Sequence, residues 1–284
     1  MGALGSIIST IGLARLMDLN VVLPLLGQTK DRLPFPIAGL FVIIATVLVF
    51  SFVHEQNKDE VAQEKKVPVI QSIREIAGQK DKSALWILLS LFFWFLGYQG
   101  ILPFVAKMSI DILHTSKANA ALPAAAVGIA QAVFAIPAGY IAHKIGRRKT
   151  IRISLIVVTS LLILGGFLAS PAAGGIGTKA RFFCFLGMMF VYGIFWIAII
   201  TNSFPMLWQM ATYGSIGIYT GLYYTFSQAA AIISPTITGG LIDLVGYPGI
   251  FGFAAVCMLL AFYFMSKVKK GEPTEKPAAA EAAA

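Results

Sequence analysis

Charge is scarce in this sequence: Asp, Glu, Lys and Arg make up 12% of 284 residues against 57% apolar ones, and the mean hydropathy is +0.79. So few charges cannot cover a soluble globular domain, which leaves an integral membrane protein. Cysteine is limited to Cys184 and Cys257, each inside an apolar run, which excludes a disulfide framework. Histidine is limited to His54, His114 and His143, far apart in the chain. There is also no phosphate-binding glycine loop and no acid pair within an apolar run. No catalytic, metal or cofactor site is expected, and the chain reads as a non-enzyme. Acids are outnumbered, giving a net charge of +9. The cations fall mostly in loops assigned to one side, so membrane orientation accounts for them and no nucleic-acid partner is expected. Met1-Gly2-Ala3-Leu4 opens directly into an apolar segment, without the charged n-region of a cleavable signal.

What is abundant is long apolar runs. About 20 residues cross the hydrocarbon of a bilayer, and runs of that order lie at Ala3 to Leu26, Pro36 to Val53, Ala84 to Ala106, Ala121 to Ala142, Thr150 to Leu168, Phe182 to Ile200, Ile216 to Leu244 and Gly246 to Met265. The fold class expected is all-α, a polytopic bundle of about eight transmembrane helices embedded in a lipid bilayer. Placing the His54 to Ser83 loop, the His143 to Arg152 loop and the tail after Met265 in the cytosol puts fifteen Lys and Arg there, with both termini cytosolic. The opposite connections carry Lys30, Arg32, Lys117, Lys179 and Arg181. Four segments follow: the end of a first bundle at 1–53, a cytosolic linker at 54–83, a six-helix bundle at 84–268 and a disordered tail at 269–284. Within the linker, Val69, Ile70, Ile73, Ile76 and Ala77 share one helical face, the pattern of a helix lying in the membrane interface.

The stretch Gly139-Tyr140-Ile141-Ala142-His143-Lys144-Ile145-Gly146-Arg147-Arg148-Lys149-Thr150 joins two of the runs. Its cations stay cytosolic and Gly146 lets the backbone reverse, so it reads as a tight cytosolic turn. Gly139, Lys144, Gly146, Arg147 and Arg148 fit the pattern Gly-x-x-x-Asp-Arg/Lys-x-Gly-Arg/Lys-Arg/Lys, and through it the chain resembles the major facilitator superfamily of transporters. Phe93-Trp94-Phe95-Leu96-Gly97-Tyr98-Gln99-Gly100, Asn202-Ser203-Phe204-Pro205-Met206 and Tyr219 to Gln228 look like bacterial relatives of the sucrose and glycoside-pentoside-hexuronide cation symporters.

The resemblance implies an incomplete major facilitator fold: the last two helices of an N-terminal half, then the six-helix C-terminal half. The full architecture has twelve helices with substrate held between the halves, so the first four would be supplied elsewhere in a full-length chain. It further implies secondary active transport of a small solute, a sugar or glycoside, with a proton or cation as coupling partner, in a bacterial inner membrane. His143 departs from the pattern, standing where the family has an acid that faces a helix N-terminus. The family's acid in the first helix and arginine in the fourth have no counterparts here. The alternative is a truncated, non-transporting structural subunit that binds partner helices.

Polar and aromatic side chains at membrane depth are candidate substrate contacts, because amides pair with hydroxyls and flat rings cover C–H surfaces: Gln99, Gln131, Trp196, Tyr223, Tyr224 and Gln228. The competing reading of each is packing or helix adhesion. Candidate gating residues are Arg15 and Asp18, an i,i+3 pair inside an apolar run, together with Gly139, His143, Lys144, Gly146, Arg147 and Arg148. His143 reads either as a solvated loop residue or as a latch against the start of the seventh span. Gly165, Gly166, Gly221, Gly239 and Gly240 are expected to permit close helix contact or bending, with Pro205 and Pro235 loosening the hydrogen-bond ladder.

Overall fold

A computed structural model describes residues 22–23, 27–28, 32–52, 68–211 and 215–272. Among the described residues the regular structure is helical, apart from a two-residue antiparallel pair, β1 (Val22–Leu23) with β2 (Gly27–Gln28). The first expected span lies outside the described residues except at its end, where Val22 and Leu23 are extended instead of helical. Arg15 and Asp18 also lie outside them.

Helix α1 (Pro34–Phe52) has its apolar side chains exposed along its length. Helix α2 (Val69–Gly78) is the amphipathic linker helix. Its apolar face divides: Ile76 is buried and Ile73 packs on the core, whereas Val69 and Ile70 are exposed. The bundle follows as α3 (Ser83–Ile101), a 3-10 turn at Leu102–Phe104, α4 (Val105–Asp111), the short α5 (Lys117–Ala120), α6 (Leu122–Ile145), α7 (Arg147–Ala169), α8 (Thr178–Gln209), α9 (Ile216–Val245) and α10 (Tyr247–Ser266). Seven helical segments among the described residues are long and apolar enough to cross a membrane, and they coincide with the last seven expected runs.

In space the six bundle helices form an open arc: α6 packs on α8, α8 on α7, α7 on α10, α10 on α3, and α3 on α9. Of these six, the two helices at the ends of the arc, α6 and α9, are buried least. The core between the others holds Trp94, Phe185, Phe251, Leu91 and Met108. Close approach depends on missing side chains at particular glycines. A Cβ on Gly193 would meet the Val127 backbone oxygen at 2.7 Å, and one on Gly100 would meet Ser234 Oγ at 2.7 Å. Of the glycines expected at such contacts, Gly165 is pressed by the Phe251 ring and Gly166 touches it more loosely. Gly221 and Gly240 have open space, and Gly239 touches only the Phe104 ring. These three lie on α9, at an end of the arc, where close contact is not what their missing side chains serve. Hydroxyls bridge helices where glycines bring them near: Ser90 Oγ donates to Ala261 O at 2.5 Å and Ser234 Oγ donates to Leu96 O.

Candidate functional site

Two regions collect the polar and aromatic residues that the sequence singles out. The first is a chain of rings through the middle of the bundle. Tyr98 on α3 lies face to face with Trp196 on α8, centroids 4.0 Å apart and planes 3° from parallel. Tyr192, one turn before Trp196, is parallel to both at 6.2 and 6.3 Å. Phe95 then stands edge-on to Trp196 at 5.6 Å and to Tyr223 on α9 at 6.3 Å. Phe204 continues from Tyr223 at 4.6 Å to Trp208 at 4.6 Å. Offset and edge-on pairs of this kind are the favoured aromatic geometries. The i,i+4 repeats Tyr192/Trp196 and Phe204/Trp208 put successive rings on one face of α8.

Polar atoms are attached to this chain. Gln131 on α6 presents its amide to the Tyr98 hydroxyl. Tyr223 OH lies 3.5 Å from Ser203 Oγ, and Trp208 Nε1 donates to Thr220 Oγ1 at 2.9 Å. Tyr192 OH and Trp94 Nε1 are buried without a hydrogen-bond partner among the described residues. Among the described bundle helices, every Asp, Glu, Lys and Arg sits near a helix end, so the ring chain contains no charge.

The structure thus joins Trp196 and Tyr223, both buried, in one aromatic chain, with Gln131 beside it. Tyr224 is 54% exposed and Gln228 is also exposed, both on α9, while Gln99 is half-buried on α3. Tyr98, Phe95, Tyr192 and Phe204 were not named as substrate contacts from the sequence. Helical spacing was an available signal for Tyr192, four residues before Trp196, and for Phe95, four before Gln99.

The second region is the cationic turn. Gly146 caps α6 with φ 95°, a conformation suited to glycine, and its N–H donates to Ala142 O at 2.9 Å. His143 and Lys144 are exposed, with Lys144 Nζ 4.6 Å from the centroid of the Tyr140 ring. Gly139 has nothing within 4 Å of a would-be Cβ. The carboxylate at this turn comes from Glu272, beyond the last helix. It accepts from Arg147 N at 2.7 Å, Arg148 N at 3.2 Å and Arg148 Nε at 2.7 Å. A carboxylate on the first N–H groups of α7 is a favourable pairing of charge with helix dipole. Arg147 also donates to Gln209 Oε1 at 3.0 Å. Residues 269–272, grouped by sequence with the disordered tail, are therefore docked on the bundle. The overlooked sign was a lone acid after Lys269-Lys270-Gly271.

Two cavities of about 420 and 400 Å³ lie at the opposite end of the bundle and share His114. One is lined by Asn119 and Lys179, the other by Asp111, Arg181 and Tyr247. No group of His, Cys, Asp and Glu suited to a metal occurs among the described residues.

A family model described as the Major Facilitator Superfamily matches residues 88–284. No curated protein matches the chain.

Proposed function

Because this chain belongs to the Major Facilitator Superfamily, and so is a multi-pass membrane transporter, we propose that its cargo is a small, uncharged, hydroxyl-rich solute such as a sugar or glycoside. The observation that carries this reading is the ring chain from Tyr192 to Trp208, aromatic faces with amide and hydroxyl groups at its border and no charge within it. A sugar offers the complementary surface, C–H faces for rings and hydroxyls for amides. An anionic cargo would find no counter-charge at that depth, where burying an unpaired ion is costly. The sequence likeness to sucrose and glycoside symporters points the same way.

Transport would proceed by alternating access around this region. Gln131 and Tyr224, from the end helices α6 and α9, and Gln99, Tyr223 and Gln228 would meet the cargo from one side. The least-buried helices would face the complementary half of the fold. Any coupling proton would be held outside the described bundle helices, because these carry their charges at their ends. The test is counterflow of radiolabelled sugars and glycosides by the full-length protein in liposomes. Trp196→Ala and Gln131→Ala should each raise the half-saturating concentration about tenfold, the equivalent of losing ~1.4 kcal/mol of contact. Uptake confined to organic anions or lipophilic cations would overturn the proposal.

A further inference from the structure

The segment after α10 does more than leave the membrane. Val268 is buried, the N–H groups of Lys269 and Lys270 point at Ser83 Oγ at 3.0 and 3.4 Å, and Lys270 Nζ lies 3.7 Å from Asp81 Oδ2. Gly271 then turns with φ 97°, and a Cβ there would meet Met206 O and Met210 Cε at 3.0 Å. That turn delivers Glu272 to the first N–H groups of α7 and to the Arg148 guanidinium, while Arg148 also donates to Lys269 O. Arg152 donates to the last carbonyls of α10, at Met265 and Ser266. The five residues 268–272 thus reach the start of α3, the start of α7 and the end of α8.

We propose that Val268–Glu272 is an intramolecular latch that holds these three helix ends together and supplies from outside the loop the acid that His143 does not. The argument rests on convergence. One carboxylate accepts from two backbone donors and a guanidinium at once. The glycine before it is the residue type that the tight approach to α8 requires. The latch places the departure point of the chain after Glu272 directly on the cationic turn, so displacing that chain withdraws the acid from α7.

Hydrogen–deuterium exchange on the purified full-length protein tests the proposal without depending on any cargo. In Glu272→Gln, amides of 146–150 and of 268–272, far apart in sequence, should both exchange at least fivefold faster than in the parent, with peptides from the middle of α3 and α8 unchanged. Ser83→Ala should speed 268–272 while leaving 146–150 within twofold. Exchange at 146–150 that stays unchanged in Glu272→Gln would overturn the latch, as would equal loosening of the core peptides, which would mark a folding defect instead.

Discussion

The bundle contains two glycine turns one hundred residues apart, and they differ in an informative way. Gly139-x-x-x-His143-Lys144-x-Gly146-Arg147-Arg148 joins α6 to α7, and Gly239-x-x-x-Asp243-Leu244-x-Gly246-Tyr247-Pro248 joins α9 to α10. Both cap glycines have positive φ, 95° and 77°, and both donate to the carbonyl four residues back at 2.9 Å. In each, the first residue of the following helix reaches the last residue of another. Arg147 donates to Gln209 at the end of α8, and Tyr247 OH donates to Asp111 Oδ2 at the end of α4 at 2.6 Å. The backbone solution is therefore shared while the charge is not. Glycine determines that the chain turns, and the cations determine only which side of the membrane the turn occupies. Both turns meet an acid from another element, but Glu272 accepts from backbone N–H groups and a guanidinium at the cationic turn, whereas Asp111 accepts from a neutral phenol at the other.

The most damaging way to break this pairing is at the glycines. Gly146→Val and Gly246→Val should each cost about 1–3 kcal/mol through backbone strain. Gly146 should cost more, because its Cβ would also crowd Glu272 at 3.2 Å, whereas the nearest atom at Gly246 is Pro248 Cδ at 3.6 Å. Thermal unfolding in detergent measures both, and a neutral Gly146→Val would show the turn to be less constrained than drawn.

Next in size is the acid at each end. Glu272→Gln removes three charge-assisted hydrogen bonds from a side chain only 14% exposed, and a loss of about 1–2 kcal/mol is expected. Asp111→Asn should lower the melting temperature less, since Asp111 is 36% exposed beside Lys107. A reversal of that order would break the contrast between the two ends.

A smaller effect is expected from the neutral cross-links. A double-mutant cycle on Arg147 and Gln209 should give a coupling of about 0.5–1.5 kcal/mol. Zero coupling would reduce that contact to proximity.

The smallest effect is acid sensitivity confined to the latch end. Hydrogen bonding from Ser83, with Lys270 and Lys269 nearby, holds the Asp81 carboxyl below its ordinary value of 3.8. A depressed carboxyl contributes its stability above the unfolded-state value and loses it as pH falls through the lower folded-state one. Exchange at 268–272 should accordingly be independent of this group from pH 5 upward and loosen below about pH 4. Asp81→Asn should flatten that response.

The spans were legible because apolar runs of membrane length have few alternatives. Their ends were less so. The sequence places the end of the sixth run near Ile200, ahead of Asn202-Ser203 and Pro205, yet α8 continues to Gln209. Thr201, Asn202 and Ser203 bond back to the carbonyls of Ile197, Ala198 and Ile200, so their polar groups are satisfied within the helix and do not terminate it. At the candidate site, Trp196 and Tyr223 could be named from their depth in a run. That Tyr98 covers the face of Trp196 depends on the register between α3 and α8, which no single run contains. The latch was invisible for a related reason: its hydrogen bonds span from 121 to 187 residues.

The parallel stack of Tyr192, Tyr98 and Trp196 also makes the bundle its own optical gauge. Light absorbed by the two phenols passes efficiently to an indole at 4.0 and 6.3 Å. In a variant that keeps Trp196 as its one tryptophan, with Trp86, Trp94 and Trp208 replaced by Phe, the indole emission reports whether the stack is intact without any attached dye. A molecule that parts those rings would announce itself as a colour change in that variant.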